Sequence, residues 1–270
     1  MHPILVELGP VRILTHDAFT VLALAVGLGI YYRELRRRGW LDATIVWISL
    51  IAIIGAGVGA RLITAWEHVE YYTALDGVPL TVAIEHSGKS LIGALAGGYL
   101  AIVLAKRAFG YARSTGDAYV LAIPIATAVG RIGCFLSELP LGTPTTLPWG
   151  ISVSPEAASA FARCPGCDVP MHPSMLYEVL FNVIAAIVIA RYRDRVPVPG
   201  DALRLYLFAA GIFRFLVEFV RGNEPQALGL TGPQWVLIPL VGLLVVHFAR
   251  QLRRDAYRVP SPPVPGGVPA

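Results

Sequence analysis

Charge is what this sequence has least of. Asp, Glu, Lys and Arg make up 15% of its 270 residues, against roughly 25% in ordinary soluble domains. Apolar residues make up 55%, and the mean hydropathy is +0.62. One core of this size cannot hide so much apolar surface and still show water a charged exterior. A water-soluble enzyme is therefore excluded, as are a disordered chain, collagen and a coiled coil. Three cysteines are too few for a disulfide scaffold. The N-terminal MHPILVELGPVRIL lacks a basic region and a small-residue cleavage site, so no cleavable signal peptide is expected and the first span serves as its own insertion signal. P-loop, GxGxxG and HExxH patterns are missing too, and no internal repeat is seen.

Long apolar runs are present instead. A bilayer core of about 30 Å needs about 20 mostly apolar helical residues. Seven runs qualify as helices, at 17–33, 42–62, 90–105, 117–136, 175–191, 203–220 and 233–249. The third, LIGALAGGYLAIVLA, is short and glycine-rich, which suits close helix approach. Basic clusters follow the odd-numbered runs: Arg33, Arg36, Arg37 and Arg38; Lys106, Arg107 and Arg113; Arg191, Arg193 and Arg195; Arg250, Arg253, Arg254 and Arg258. The other connections carry Glu67, Glu70, Asp76 and Glu85, then a long segment whose only basic residue is Arg163. Positive charge concentrates on the cytoplasmic side, so the expectation is an all-α, polytopic protein with seven transmembrane helices, N-terminus out and C-terminus in. The basic pI, near 9.1, then reports membrane orientation, and the partner is the lipid bilayer rather than nucleic acid. The membrane domain covers 1–258, with outer loops at about 63–89 and 137–174, the second forming a cap. The tail at 259–270 is proline-rich and expected to be disordered.

Five charged residues fall in or at the outer ends of these runs: Arg61, Arg131, Arg214, Glu218 and Arg221. An Arg at mid-bilayer costs about 2.5–3.5 kcal/mol even on the lenient insertion scale, so these side chains should face a polar cavity. In RFLVEFVR, Arg214, Glu218 and Arg221 share one helical face. That stripe reads either as a charged binding surface or as a structural ion pair with a snorkelling end residue. Arg131 is flanked by Gly130 and Gly133, which leave room for a bulky anion, although small residues also serve helix packing. The planar guanidinium fork suits phosphate, and a phosphate beside apolar walls suggests a phospholipid headgroup.

These residues resemble a family. GRIGCFLSELPLG at 130–142, HPSMLYE at 172–178, RFLVEFVR at 214–221 and GPQW at 232–235, with ELGPVRI and GVGARL (57–62) earlier, look like the motifs of the bacterial prolipoprotein diacylglyceryl transferases. The resemblance implies a multi-pass enzyme of the bacterial inner membrane with a periplasmic cap. It would move the diacylglyceryl group of phosphatidylglycerol onto the lipobox cysteine thiol of a preprolipoprotein signal peptide, releasing glycerol phosphate. It implies no cofactor and no metal. Arg131 and Arg214 would hold the lipid phosphate as catalytic residues, with Gly130, Gly133, Arg61, Glu218 and Arg221 completing the phospholipid site. Gly142 would shape that site, and His172 and Tyr177 would lie near its mouth.

Several positions depart from the family pattern. Ile92 stands where a histidine is usual at the start of the third run, and His86 is six residues too early to replace it. Cys134 stands where an asparagine is usual after GRIG, Ser137 and Leu139 replace other polar groups, and Asp17 is the nearest match to a tyrosine. A free thiol near pKa 8.5 is only a few per cent ionised at pH 7. The arginine cluster can lower that pKa without a histidine base. His16 and Asp17 at the outer end of span one offer a substitute base, with helix capping as the simpler role for Asp17. Cys134 reads as a small packed residue. Cys164 and Cys167 form a CPGC in the outer loop. They read as a structural disulfide tying the cap, or as a redox pair, which would make the chain a membrane thiol-disulfide oxidoreductase. A zinc site joining them to His172 lacks a fourth ligand. A non-catalytic phospholipid-binding or transport relative is the third reading. His247 lies near the inner end of the last span, and Trp235 reads as an interfacial anchor.

Overall fold

The computed structural model describes residues 4–8, 11–67, 91–137, 142–152 and 169–257. Helix is found at every one of the seven apolar runs. The helices are α1 (Thr15–Arg38), α2 (Ala43–Glu67), α3 (Leu91–Ala108), α4 (Gly116–Tyr119), α5 (Ala122–Leu136), α6 (Ser174–Tyr192), α7 (Asp201–Val217) and α8 (Gly232–Arg253). Short 3₁₀ turns extend α6 over Arg193–Arg195 and α7 over Glu218–Val220. Among the described residues, five segments are long and apolar enough to cross a membrane: Thr15–Arg38, Ala43–Leu62, Gly116–Leu136, Ser174–Arg195 and Gly232–Arg253. The third and sixth runs give the shorter α3 and α7, of 18 and 17 residues, which rise about 27 and 26 Å at about 1.5 Å per residue.

The all-α expectation missed one element. Strands β1 (Ile4–Leu8) and β2 (Val11–Leu14) pair antiparallel ahead of α1, with Val6 opposite Ile13 and Glu7 opposite Arg12. The β-branched residues in both segments suit a pleated ribbon. A second difference lies in the fourth run, which breaks between α4 and α5. Pro124 has no N–H to offer the carbonyl four residues back, at Val120, so the hydrogen-bond ladder lapses there while Val120 and Leu121 keep helical backbone angles. At the other end of the chain, Thr231 and Gln234 form a reciprocal capping box that starts α8, aided by Pro233 in its first turn.

Burial runs opposite to that of a soluble protein. Val21, Ile54, Ile187 and Leu243 are each more than 60% exposed, whereas Glu34, Glu178, Asp201, Glu218 and Gln234 are buried. Apolar side chains directed outward and polar ones inward suit a lipid solvent, in which buried polar groups must find partners within the protein.

The chain divides into two compact units. The unit of residues 35–113 joins α2 to α3 through glycines. A Cβ on Gly59 would lie 2.3 Å from the Gly93 carbonyl oxygen, and one on Gly55 would lie 2.3 Å from Ala101 Cβ. Only glycine permits this approach, as the composition of the third run led us to expect.

The other unit holds residues 1–34 and 114–270. Here α1 and α5 run antiparallel: Gly27 faces Ala126, Ala23 faces Gly130 and Phe19 faces Gly133. Phe181 of α6 stacks on Phe213 of α7 at 4.3 Å, and the Tyr206 hydroxyl donates to Asn182 Oδ1 at 2.8 Å. At the start of α7, the buried Asp201 accepts from Arg204 at 2.6 Å, pairs with His247 Nε2 at 2.8 Å and accepts from the Tyr257 hydroxyl. Burial and that carboxylate push the Tyr257 phenol above its ordinary range. His247 is thus tied to α7, while Trp235 donates its indole N–H to the Ala227 carbonyl.

Candidate active site

Near the C-terminal end of α7 the same unit gathers five charged side chains. Arg131 projects from α5, Glu178 from α6, Arg214 and Glu218 from α7 and its 3₁₀ extension, and Arg221 from the residue after it. Arg131 Nε lies 2.5 Å from Glu178 Oε2, and Arg221 Nη1 donates to Glu178 Oε1 at 2.7 Å. Glu218 Oε2 takes Arg214 Nη1 and lies 3.8 Å from Arg221 Nε. Glu218 Oε1 accepts from Asn223 Nδ2 at 2.6 Å and from Thr231 Oγ1 at 3.0 Å. The glutamate side chains are 5% and 0% exposed, whereas the three arginines keep 17–23% exposure. The carboxylates are therefore enclosed, while the guanidinium groups still reach accessible space.

Three guanidinium groups face two carboxylates, so the cluster carries one net positive charge. The expected pairing of Glu218 with Arg214 and Arg221 is present. Glu178 is the partner that sequence reading missed, although it closes the HPSMLYE motif. A lone carboxylate with Asn182 four residues later, in an otherwise apolar stretch of α6, was the available signal. Asn223, Thr231 and Gln234 were missed as well. Gln234 donates to the Phe215 carbonyl at 3.1 Å while its Oε1 accepts the Thr231 N–H, so the start of α8 braces the charged end of α7.

His172 and Tyr177 meet on one side of this region. The Trp149 indole donates to the Tyr177 hydroxyl at 2.8 Å, and that hydroxyl lies 3.0 Å from His172 Nδ1. An indole N–H can only donate, so the phenol oxygen accepts from Trp149, and its own O–H can donate to Nδ1 in the tautomer that carries the ring proton on Nε2. Gly142 joins these parts through the backbone: Thr143 N donates to the Val220 carbonyl, and His172 N donates to the Thr143 carbonyl. A Cβ on Gly142 would sit 2.3 Å from Val220 O and 2.7 Å from His172 O. Gly142→Ala should therefore force the segment apart at a cost of about 1–3 kcal/mol. The expected result is a lower melting temperature together with lost activity.

The remaining sequence candidates fall as follows. Gly133 serves packing, since a Cβ there would meet Phe19 Cβ at 2.2 Å, whereas Gly130 has only ordinary contact with Ala23. Arg61 lies on α2, in the unit of residues 35–113. Cys134 is buried, with His16 Nδ1 3.6 Å from its sulfur. Asp17 occupies the first turn of α1, where a carboxylate favours the helix dipole. Ile92 lies in the first turn of α3. Cys164, Cys167, His86, Leu139 and the tail at 259–270 fall outside the described residues. Among the described residues there is no group of three or more His, Cys, Asp or Glu that could hold a metal ion.

A family model described as prolipoprotein diacylglyceryl transferase matches residues 3–250. The phosphatidylglycerol--prolipoprotein diacylglyceryl transferase of Cupriavidus metallidurans is 31% identical over 271 residues, covering 93% of this chain and 94% of the relative. The proteins of the same name from Pseudomonas putida and Clostridium tetani are 28% and 27% identical, covering 92% and 83% of this chain and 93% and 86% of the relatives. The chain belongs to the prolipoprotein diacylglyceryl transferase family.

Proposed function

We propose that this chain transfers the diacylglyceryl group of phosphatidylglycerol to the lipobox cysteine of a preprolipoprotein, the first step of lipoprotein modification. The observation that carries this reading is the enclosed Arg131–Glu178–Arg221–Glu218–Arg214 network. It sets a net positive charge among apolar helices, where a lipid bearing an anionic head can enter. In the reaction, the acceptor thiol gives up its proton and its sulfur bonds to the terminal glycerol carbon of the diacylglycerol. The carbon–oxygen bond to phosphate breaks, and its electron pair leaves with glycerol phosphate.

Each group then has a part. Arg131 and Arg214 hold the phosphate oxygens and stabilise the charge that grows on them as the bond breaks. Glu178 and Glu218 fix the guanidinium directions, so the site needs little rearrangement at the moment of reaction. Arg221 lies between the two carboxylates and keeps the cluster cationic. His172 offers its second ring nitrogen, Nε2, to the headgroup at the mouth, and Gly142 keeps the backbone there close. Gly130, whose Cβ position has only ordinary contact, leaves room for the headgroup beside Arg131.

The family membership and the apolar helices support a multi-pass protein. The spacing of basic clusters supports seven spans, with the N-terminus outside and the C-terminus inside, in the bacterial inner membrane. On this orientation the charged end of α7 faces the periplasm, where signal peptides arrive. The oxidoreductase and non-catalytic alternatives gain nothing from the family comparison.

Incubating the full chain in vesicles with labelled phosphatidylglycerol and a lipobox peptide tests the reading. Mass spectrometry should find a diacylglyceryl adduct on the peptide cysteine and free glycerol phosphate. Absence of that adduct would overturn it.

A further inference from the structure

We propose that His16 is the proton acceptor for the incoming thiol, with Cys134 as the residue that positions it. This rests on the transferase reading above. A thiol entering the site is mostly protonated at pH 7 and must lose its proton to attack. Three imidazoles lie on described residues, those of His16, His172 and His247. The His172 Nδ1 is engaged by the Tyr177 hydroxyl, which also receives the Trp149 indole. His247 pairs with Asp201 at the start of α7, the end remote from Arg214.

His16 stands in the first turn of α1, with its Nδ1 3.6 Å from Cys134 Sγ. Cys134 follows Arg131 by three residues on α5, and helix residues so spaced share a face with Cβ atoms about 5–6 Å apart. The imidazole is thereby carried to the face of α5 that presents the phosphate-binding guanidinium. Gly133 permits this placement, because any Cβ there would collide with Phe19, one turn along from His16. In the tautomer with its proton on Nδ1, the imidazole donates to the Cys134 sulfur and keeps the Nε2 lone pair for the substrate.

The step balances. The substrate S–H proton moves to His16 Nε2 as sulfur bonds to the glycerol carbon. The broken carbon–oxygen bond gives its electron pair to the departing phosphate, and the imidazolium returns its proton to that phosphate or to water.

The test uses the full chain in phosphatidylglycerol vesicles with a lipobox peptide, at pH 6.5 to 9. His16→Gln should slow transfer on the order of a hundredfold or more at pH 7 while retaining labelled phosphatidylglycerol. Its rate should then climb roughly fifteenfold from pH 7 to 8.5, as the free thiol ionises unaided. The unsubstituted chain should climb less over that interval. Cys134→Ala, which removes the partner beside Nδ1, should lower the rate about tenfold at pH 7 with less loss at pH 8.5, and Cys134→Ser, which keeps a polar partner there, should restore most of it; a Cys134→Ala protein as fast as the unsubstituted chain would remove the positioning role. A His16→Gln protein with unchanged rate, or with a deficit equal at every pH, would overturn the proposal. No adduct from the unsubstituted chain would instead remove the transferase reading beneath it.

Discussion

Arg131→Ala should lower diacylglyceryl transfer on the order of a thousandfold, in line with removing one preorganised donor from a developing oxyanion. The protein should remain inserted and folded, because Glu178 keeps Arg221 at 2.7 Å as its partner. The substitution also takes the net charge of the cluster from one positive to zero, so binding of the lipid weakens together with catalysis. Arg131→Lys restores the charge without the planar fork that grips two oxygens, and its rate should fall between the two. Transfer of labelled lipid, measured beside a thermal melt of each variant, separates these effects. A fully active Arg131→Ala protein would remove this arginine from the reaction.

Glu178→Ala should do the greater damage to stability. Its carboxylate holds Arg131 at 2.5 Å and Arg221 at 2.7 Å, and its side chain is only 5% exposed. Removing one member of a buried ionic set costs about 3–5 kcal/mol, because the partners stay charged in a poor dielectric. Two guanidinium groups then repel each other across the vacated space. The variant should melt well below the unsubstituted chain and lose transfer, whereas Glu178→Gln, which can still accept hydrogen bonds, should recover part of the stability. Equal melting temperatures for Glu178→Ala and the unsubstituted chain would show that the network does not hold the helices together.

Much of this architecture was legible in the chain. Apolar runs of near bilayer length gave every long helix, because such runs have few other ways to satisfy their backbone. The run around Pro124 was read as unbroken, since a proline early in a helix is often tolerated and only the restart at Ala122 reveals its cost. The N-terminal hairpin had a signal in Gly9-Pro10, set between two short β-branched segments, which the much longer apolar runs outweighed. Arg214, Glu218 and Arg221 could be grouped by local helical periodicity. Glu178 could not be joined to Arg221 in that way, because 43 residues separate them and no spacing rule spans that distance. The same holds for His16 and Cys134, brought together only by the antiparallel packing of α1 on α5.

The odd count of charges at the end of α7 bears on turnover. Phosphatidylglycerol brings a phosphodiester with a single negative charge, which neutralises the surplus of three arginines over two glutamates. The departing phosphomonoester has a second ionisation near pH 6, so at neutral pH it carries close to two negative charges. A dianion is drawn to a net cationic cluster more strongly than a monoanion, so the guanidinium groups that ease bond cleavage also hold back what is cleaved off. Escape of glycerol phosphate, rather than arrival of lipid, is the step that this surplus charge hinders, and added glycerol phosphate should slow turnover.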